Sequence, residues 1–183
     1  MIDRLGVVLA GGQSSRFGAD KFVHVIDGME MGLRAIRSLQ PVVDRVIVAG
    51  RHEVPSSWGT ETLFGHREGS GPLGAIVDSS ELCDSQQIVV APCDMPNLST
   101  SSIAKLIEAS TSSDTAVAIA NSSSLQEPQW LAACWRTSDV RGVVSSLYAE
   151  GVRSVREVAY RVEHILVELP LGDLVNLNES ATS

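Results

Sequence analysis

Residues 5–21 read LGVVLAGGQSSRFGADK. Leu5–Leu9 is a short apolar run of strand character, and the stretch after it is too long and too charged for a plain connection. Gly11 and Gly12 let the backbone reach positive φ and come close to an anion. Successive N–H groups in such a turn form a concave nest for phosphate. Arg16 offers a bidentate fork and Lys21 a point charge. The spacing matches neither the dinucleotide fingerprint GxGxxG nor the P-loop. The stretch is either a solubilising surface loop or a strand-to-loop grip for a polyphosphate, and the residue types favour the grip.

The rest of the chain alternates in the same way. Further strands are expected at Arg45–Ala49, Thr62–Phe64, Gln87–Ala91, Thr115–Ala120, Trp130–Trp135 and Ile165–Leu169. Helices are expected at Gly32–Leu39, Pro72–Leu82, after a Ser99 or Thr100 cap, at Ser138–Tyr148 and at Val155–Ala159. Apolar runs of four to six residues between helices predict a mostly parallel sheet covered on both faces. That is a three-layer, Rossmann-like α/β fold. The 183 residues fit one domain over 1–183.

Composition narrows the function classes. A net charge of −8 argues against nucleic acid, which demands a basic footprint. The charge is uneven: residues 1–67 hold eight Lys/Arg against seven Asp/Glu, and residues 68–183 hold six against fifteen. An anionic ligand is therefore expected near the N-terminal half, unless the asymmetry only reflects solvated helix faces. No window approaches eighteen apolar residues, so no membrane span is expected. The three cysteines are scattered and odd in number, which reads as reduced thiols. With no signal-peptide pattern, a cytoplasmic protein is expected.

Ligands of such folds sit beyond the carboxyl ends of the strands. After Gln87–Ala91 comes Pro92-Cys93-Asp94-Met95-Pro96. The prolines hold Asp94 stiffly at the sheet edge. It either caps the following turn or binds Mg²⁺, which needs only one or two carboxylates plus phosphate oxygens. Beside the glycine loop, the metal reading is favoured. Gly71-Pro72-Leu73 opens a helix, as a good start or as an approach for a flat, anionic ligand. Asn176 and Asn178 flank Leu177, in an ordinary turn or on one face of an extended segment. Arg153 and Arg156 offer a helix surface or a cradle for a second anion.

Taken together, LAGGxSxRxGxDK, GPLxxI, PCDMP, GxRxV and NxN resemble the molybdenum cofactor guanylyltransferases, within the wider nucleotidyltransferase superfamily. The resemblance runs from about residue 5 to residue 178. It implies transfer of GMP from GTP to the terminal phosphate of molybdopterin, with Mg²⁺ and release of pyrophosphate. It implies that Leu9, Ala10, Gly11, Gly12, Gly71, Pro72 and Leu73 hold the nucleotide, together with Lys21 and Asp94. Arg16 and Lys21 would neutralise phosphate charge, and Asp94 would bind Mg²⁺. Asn176 and Asn178 would complete the metal–phosphate shell, while Arg153 would help hold the pterin phosphate. GTP and molybdopterin would be the small-molecule partners, with molybdopterin donors and molybdoenzymes as protein partners. The family's guanine-reading Asp before GPL is missing, and Glu68 is the nearest carboxylate. Two alternatives stand beside this reading: a cytidylyltransferase using CTP, and a non-catalytic nucleotide-binding homologue.

Overall fold

The computed structural model describes residues 2–10, 20–51, 53–63, 65, 67 and 71–177. Nine strands and five α-helices lie among these residues: the seven strands and five helices that the sequence predicts, and two short strands that it does not. Strand β1 (Ile2–Leu9) lies between β4 (Arg45–Ala49) and β6 (Ser85–Pro92), parallel to both. Outward from β4 comes the two-residue β5 (Glu61–Thr62). Beyond β6 lie β8 (Gln129–Arg136), β7 (Val117–Asn121) and β9 (His164–Glu168), giving the order β5-β4-β1-β6-β8-β7-β9. β8 runs against both neighbours, and the others run in one direction. The sheet is thus mostly parallel, with one reversed strand that composition could not reveal.

Adjacent residues on each inner strand enter opposite layers, because side chains alternate across a sheet. Val7, Ile47, Ile88 and Val90 pack with Leu73, Ile76 and Val77 of α2 (Gly71–Leu82). The same layer takes α4 (Thr137–Ala149) and α5 (Val155–Ala159). Val8, Val48, Val89 and Ala118 face Ile36 and Leu39 of α1 (Met31–Leu39), and Ile103 and Leu106 of α3 (Thr100–Ser112). Both faces are buried, which explains the near-continuous apolar runs.

Two kinds of element are not visible in the sequence pattern. β2 (Val25–Ile26) and β3 (Met29–Glu30) form a hairpin turned by Asp27 and Gly28, both at positive φ. Strands of two residues are too short to show alternation. A 3₁₀ turn at Lys21–Val23 precedes the hairpin, and another at Leu171–Leu174 comes after β9. The expected Thr62–Phe64 strand is Glu61–Thr62, and Phe64 lies outside the described residues.

Candidate active site at the carboxyl rim of the sheet

Three distant segments meet where the central parallel strands end. At the end of β1, Ala10 donates its N–H to the Ala49 carbonyl (2.9 Å), and the Leu9 carbonyl accepts the Cys93 N–H (3.1 Å). β6 stops at Pro92 because the chain turns there: the Met95 N–H reaches the Pro92 carbonyl and the Leu98 N–H reaches that of Met95. Asp94, half-buried, stands on this turn. The third segment arrives from the far end of the chain, where the Leu177 N–H donates to the Asp94 carbonyl at 2.9 Å. Asn176 is thereby held beside the PCDMP turn. Its Oδ1 is buried and accepts no hydrogen bond among the described residues.

Lys21 is placed by its neighbours in sequence. Asp20 caps the 3₁₀ turn by accepting the Phe22 N–H (3.1 Å), and its carboxylate pairs with Arg51, just beyond β4. Phe22 is buried against Gly32 at the start of α1, and its ring centroid lies 5.2 Å from that of Trp58. The Arg51 guanidinium covers the ring at 4.6 Å. Lys21 thus sits between a capped carboxylate and an aromatic anchor. The charges of Asp94, Lys21 and Asp20 all act on the Cys93 thiol, so the predicted cation and the predicted carboxylate share one neighbourhood. Burial first, then the Asp94 charge, pushes that thiol up to about 12. A thiol held this high stays protonated near neutral pH.

The remaining predicted residues divide. Gly11, Gly12, Arg16, Glu68 and Asn178 lie outside the described residues. Gly71, at φ +79°, opens α2 with Pro72 in its first turn, as the GPL motif predicts. The Leu73 side chain belongs to the core, so that position can serve a ligand through its main chain alone. Arg153 is exposed, stacked 3.9 Å over the Tyr148 ring, and its Nη1 donates to the carbonyls of Tyr148 and Val152. These bonds and the ring tie Arg153 to the end of α4 and the turn that follows it.

Two structurally important acids carry no signal in the sequence. Asp78, within α2, receives Arg67 through both its main-chain N–H (3.0 Å) and its Nη1 (2.7 Å), and so pins the segment before GPL. Asp173 ties the C-terminal segment to α3. Neither stands in a motif, and their partners are distant or look like ordinary surface. A cleft of about 950 Å³ lies at the opposite end of the sheet, near Arg4 and Arg136. Arg136 is committed there to the Ser110 and Ser113 carbonyls and to Asp139, and none of the predicted site residues lines that cleft.

Among the described residues no group of three His, Cys, Asp or Glu side chains could hold a metal by itself. The rim instead offers one carboxylate and one buried amide oxygen, a donor set suited to a magnesium ion that shares its shell with phosphate and water.

The model of the MobA-like NTP transferase domain matches residues 6–165, from β1 to the start of β9. The chain belongs to the MobA-like NTP transferase family. It is a nucleotidyltransferase, and it groups with molybdenum cofactor guanylyltransferases. It is 30% identical to the one from Burkholderia vietnamiensis (strain G4 / LMG 22486) over 179 residues, covering 92% of this chain and 86% of that protein. Its fold is shared with molybdopterin-guanine dinucleotide biosynthesis protein A from Archaeoglobus fulgidus, at TM-score 0.79 and 18% identity over 95% of this chain and 92% of that one. It is shared also with 2-C-methyl-D-erythritol 4-phosphate cytidylyltransferase from Thermus thermophilus, at TM-score 0.74 and 14% identity, covering 94% and 92%. In open α/β sheets ligands sit beyond the carboxyl ends of the strands where the strand order reverses, and in this sheet that point lies between β1 and β6. No helix among the described residues is long and apolar enough to cross a membrane.

Proposed function

We propose that this MobA-like transferase moves GMP from GTP to the terminal phosphate of molybdopterin and releases pyrophosphate. The observation that supports the reading is the pair of main-chain bonds, from the Cys93 N–H to the Leu9 carbonyl and from the Leu177 N–H to the Asp94 carbonyl, which brings the end of β1, the PCDMP turn and the segment of Asn176 to one rim. The names of the relatives supply guanylyl transfer as the specific chemistry.

The reaction joins two anions. An oxygen of the molybdopterin phosphate attacks the α-phosphorus of GTP. A new P–O bond forms, the bond to the β-phosphate bridging oxygen breaks, and pyrophosphate leaves with that electron pair. The nucleophile is already ionised near neutral pH, so no general base is required. The protein supplies in-line positioning and countercharge. In this reading the Gly11 and Gly12 amides cradle the triphosphate, while Arg16 and Lys21 neutralise its oxygens. Asp94 and Asn176 Oδ1, with Asn178, would hold Mg²⁺, which supplies charge neutralisation at the phosphates when bound. Arg153 would release its two carbonyls to take the pterin phosphate. The protonated Cys93 does not compete for phosphorus.

Pyrophosphate release from GTP, CTP and ATP, with molybdopterin and Mg²⁺, tests the reading. GTP-selective release is expected, falling on the order of a hundredfold in Asp94→Ala. Preference for CTP would move the protein to the cytidylyl branch. No Mg²⁺-dependent binding of any triphosphate would make it a non-catalytic homologue.

A further inference from the structure

Asn176 is held from two sides. On one side is the bond from the Leu177 N–H to the Asp94 carbonyl. On the other is Asp173, in the 3₁₀ turn after β9. Asp173 Oδ2 accepts three hydrogen bonds from the start of α3: from the Ser99 N–H (3.2 Å), from the Ser99 hydroxyl (2.5 Å) and from the Ser102 hydroxyl (2.7 Å). Ser99 is also the N-cap of α3, taking the Ser102 N–H on its own Oγ. With its proton given to Asp173, that Oγ accepts from Ser101 as well.

The bonds close a ring. The chain runs from Asp94 through the turn to Ser99. Hydrogen bonds cross from Ser99 and Ser102 to Asp173. The chain runs on to Leu177, whose amide returns to Asp94. Leu174, 1% exposed, anchors the ring's middle in the α1–α3 core. Asn176 lies inside this ring, one residue from the Leu177 tie and three from Asp173. A carboxylate with three donors on one oxygen forms charge-assisted bonds, among the stronger ties available to a side chain.

We propose that Asp173 is a positioning residue that holds Asn176 beside Asp94, so that the two oxygen donors stand preassembled for the cation and the nucleotide phosphates. The proposal rests on the reading that Asp94 and Asn176 serve the divalent ion. It differs from a purely stabilising role in one respect: Asp173 acts through Asn176, so removing both should cost no more than removing one.

Amide hydrogen exchange in the ligand-free protein reads the tie itself. In Asp173→Ala the Leu177 amide should exchange about tenfold faster, while Val7 and Val90 in the central strands keep their rates. Ser102→Ala, which removes a single bond, should move Leu177 in the same direction by less, and it serves where the first variant folds poorly. An unchanged Leu177 rate in both variants overturns the proposal.

Electron paramagnetic resonance of Mn²⁺ titrated into protein with GTP reads the consequence. Asp173→Ala and Asn176→Ala should each weaken Mn²⁺ binding about tenfold, and the double variant should match the weaker single. Losses that multiply in the double variant also overturn it. Wild-type protein that binds no Mn²⁺ with GTP overturns the proposed function instead, and the Leu177 exchange rates still decide whether Asp173 holds the segment.

Discussion

Gly65 lies so close to Asp78 that a methyl group in place of its hydrogen would overlap the Asp78 carboxylate. Asp78 has no room to retreat. It is 3% exposed, and both its oxygens are engaged by Arg67. The same guanidinium also grips Glu81, and those bonds, Glu81 first, hold the Arg67 proton more firmly than usual. One carboxylate from the middle of α2 thus fixes the segment that leads into GPL. Gly65→Ala must either move Asp78 and break its bonds to Arg67 or shift the backbone. A loss of roughly 1–3 kcal/mol is expected in urea unfolding, the usual cost of overpacking a filled site. A variant as stable as wild type would show that the segment can slide without cost.

Lys21 depends on Phe22 in a comparable way. The Phe22 ring is 1% exposed and fills the space over Gly32, beside Trp58. Phe22→Ala removes that anchor and should cost about 3–5 kcal/mol. Phe22→Leu keeps most of the volume and should cost less. It should still raise the KM for the triphosphate more than it lowers kcat, because Lys21 loses its fixed approach while the rim of β6 stays intact. Steady-state kinetics of Phe22→Leu checks this, and a change confined to kcat would contradict it.

Much of the architecture is legible in the sequence because a buried parallel strand leaves a dense local signal. Arg45–Ala49 and Val155–Ala159 match the expected bounds to the residue, and the other long elements lie within two or three. Asp94 stands out since a lone acid between prolines at a strand end has few ordinary uses. The reversed direction of β8 is not legible, because an apolar run has no arrow. Nor is the bond between Asp173 and Ser99. Each residue alone reads as a turn or cap former, and 74 positions separate them. The Lys21 anchor is hidden similarly, since Phe22 meets Gly32 and Trp58 only after the hairpin has folded.

The thiols offer a test of burial. Cys93 and Cys134 are both pushed up to about 12, chiefly by burial, and Cys83 is raised by burial as well. The thiolate is the reactive form, so all three should resist alkylation in the native protein. Iodoacetamide at pH 8 should modify none of them over minutes, and all three in denaturant. Rapid native labelling at Cys93 would place its thiol in water, and with it the neighbouring Asp94.

Acid should loosen the ring that contains Asn176. Burial raises the Asp173 carboxyl, but the hydrogen bonds from Ser99 and Ser102, with the Lys105 charge on α3, outweigh it, and the net shift is downward. In the unfolded chain such a carboxyl titrates near about 3.9. The unfolded state therefore takes up this proton at a higher pH than the native state does. The contribution of Asp173 is complete above that pH and is lost as pH falls through the lowered native value. Wild type should lose stability more steeply than Asp173→Asn between pH 4 and pH 2. The slopes should differ by a fraction of one bound proton, which is less than about 1.4 kcal/mol per pH unit. Thermal unfolding of the two proteins across that range makes the comparison. Parallel curves would mean that the Asp173 carboxylate gains nothing from Ser99 and Ser102, and the tie that holds Asn176 would have to be sought elsewhere.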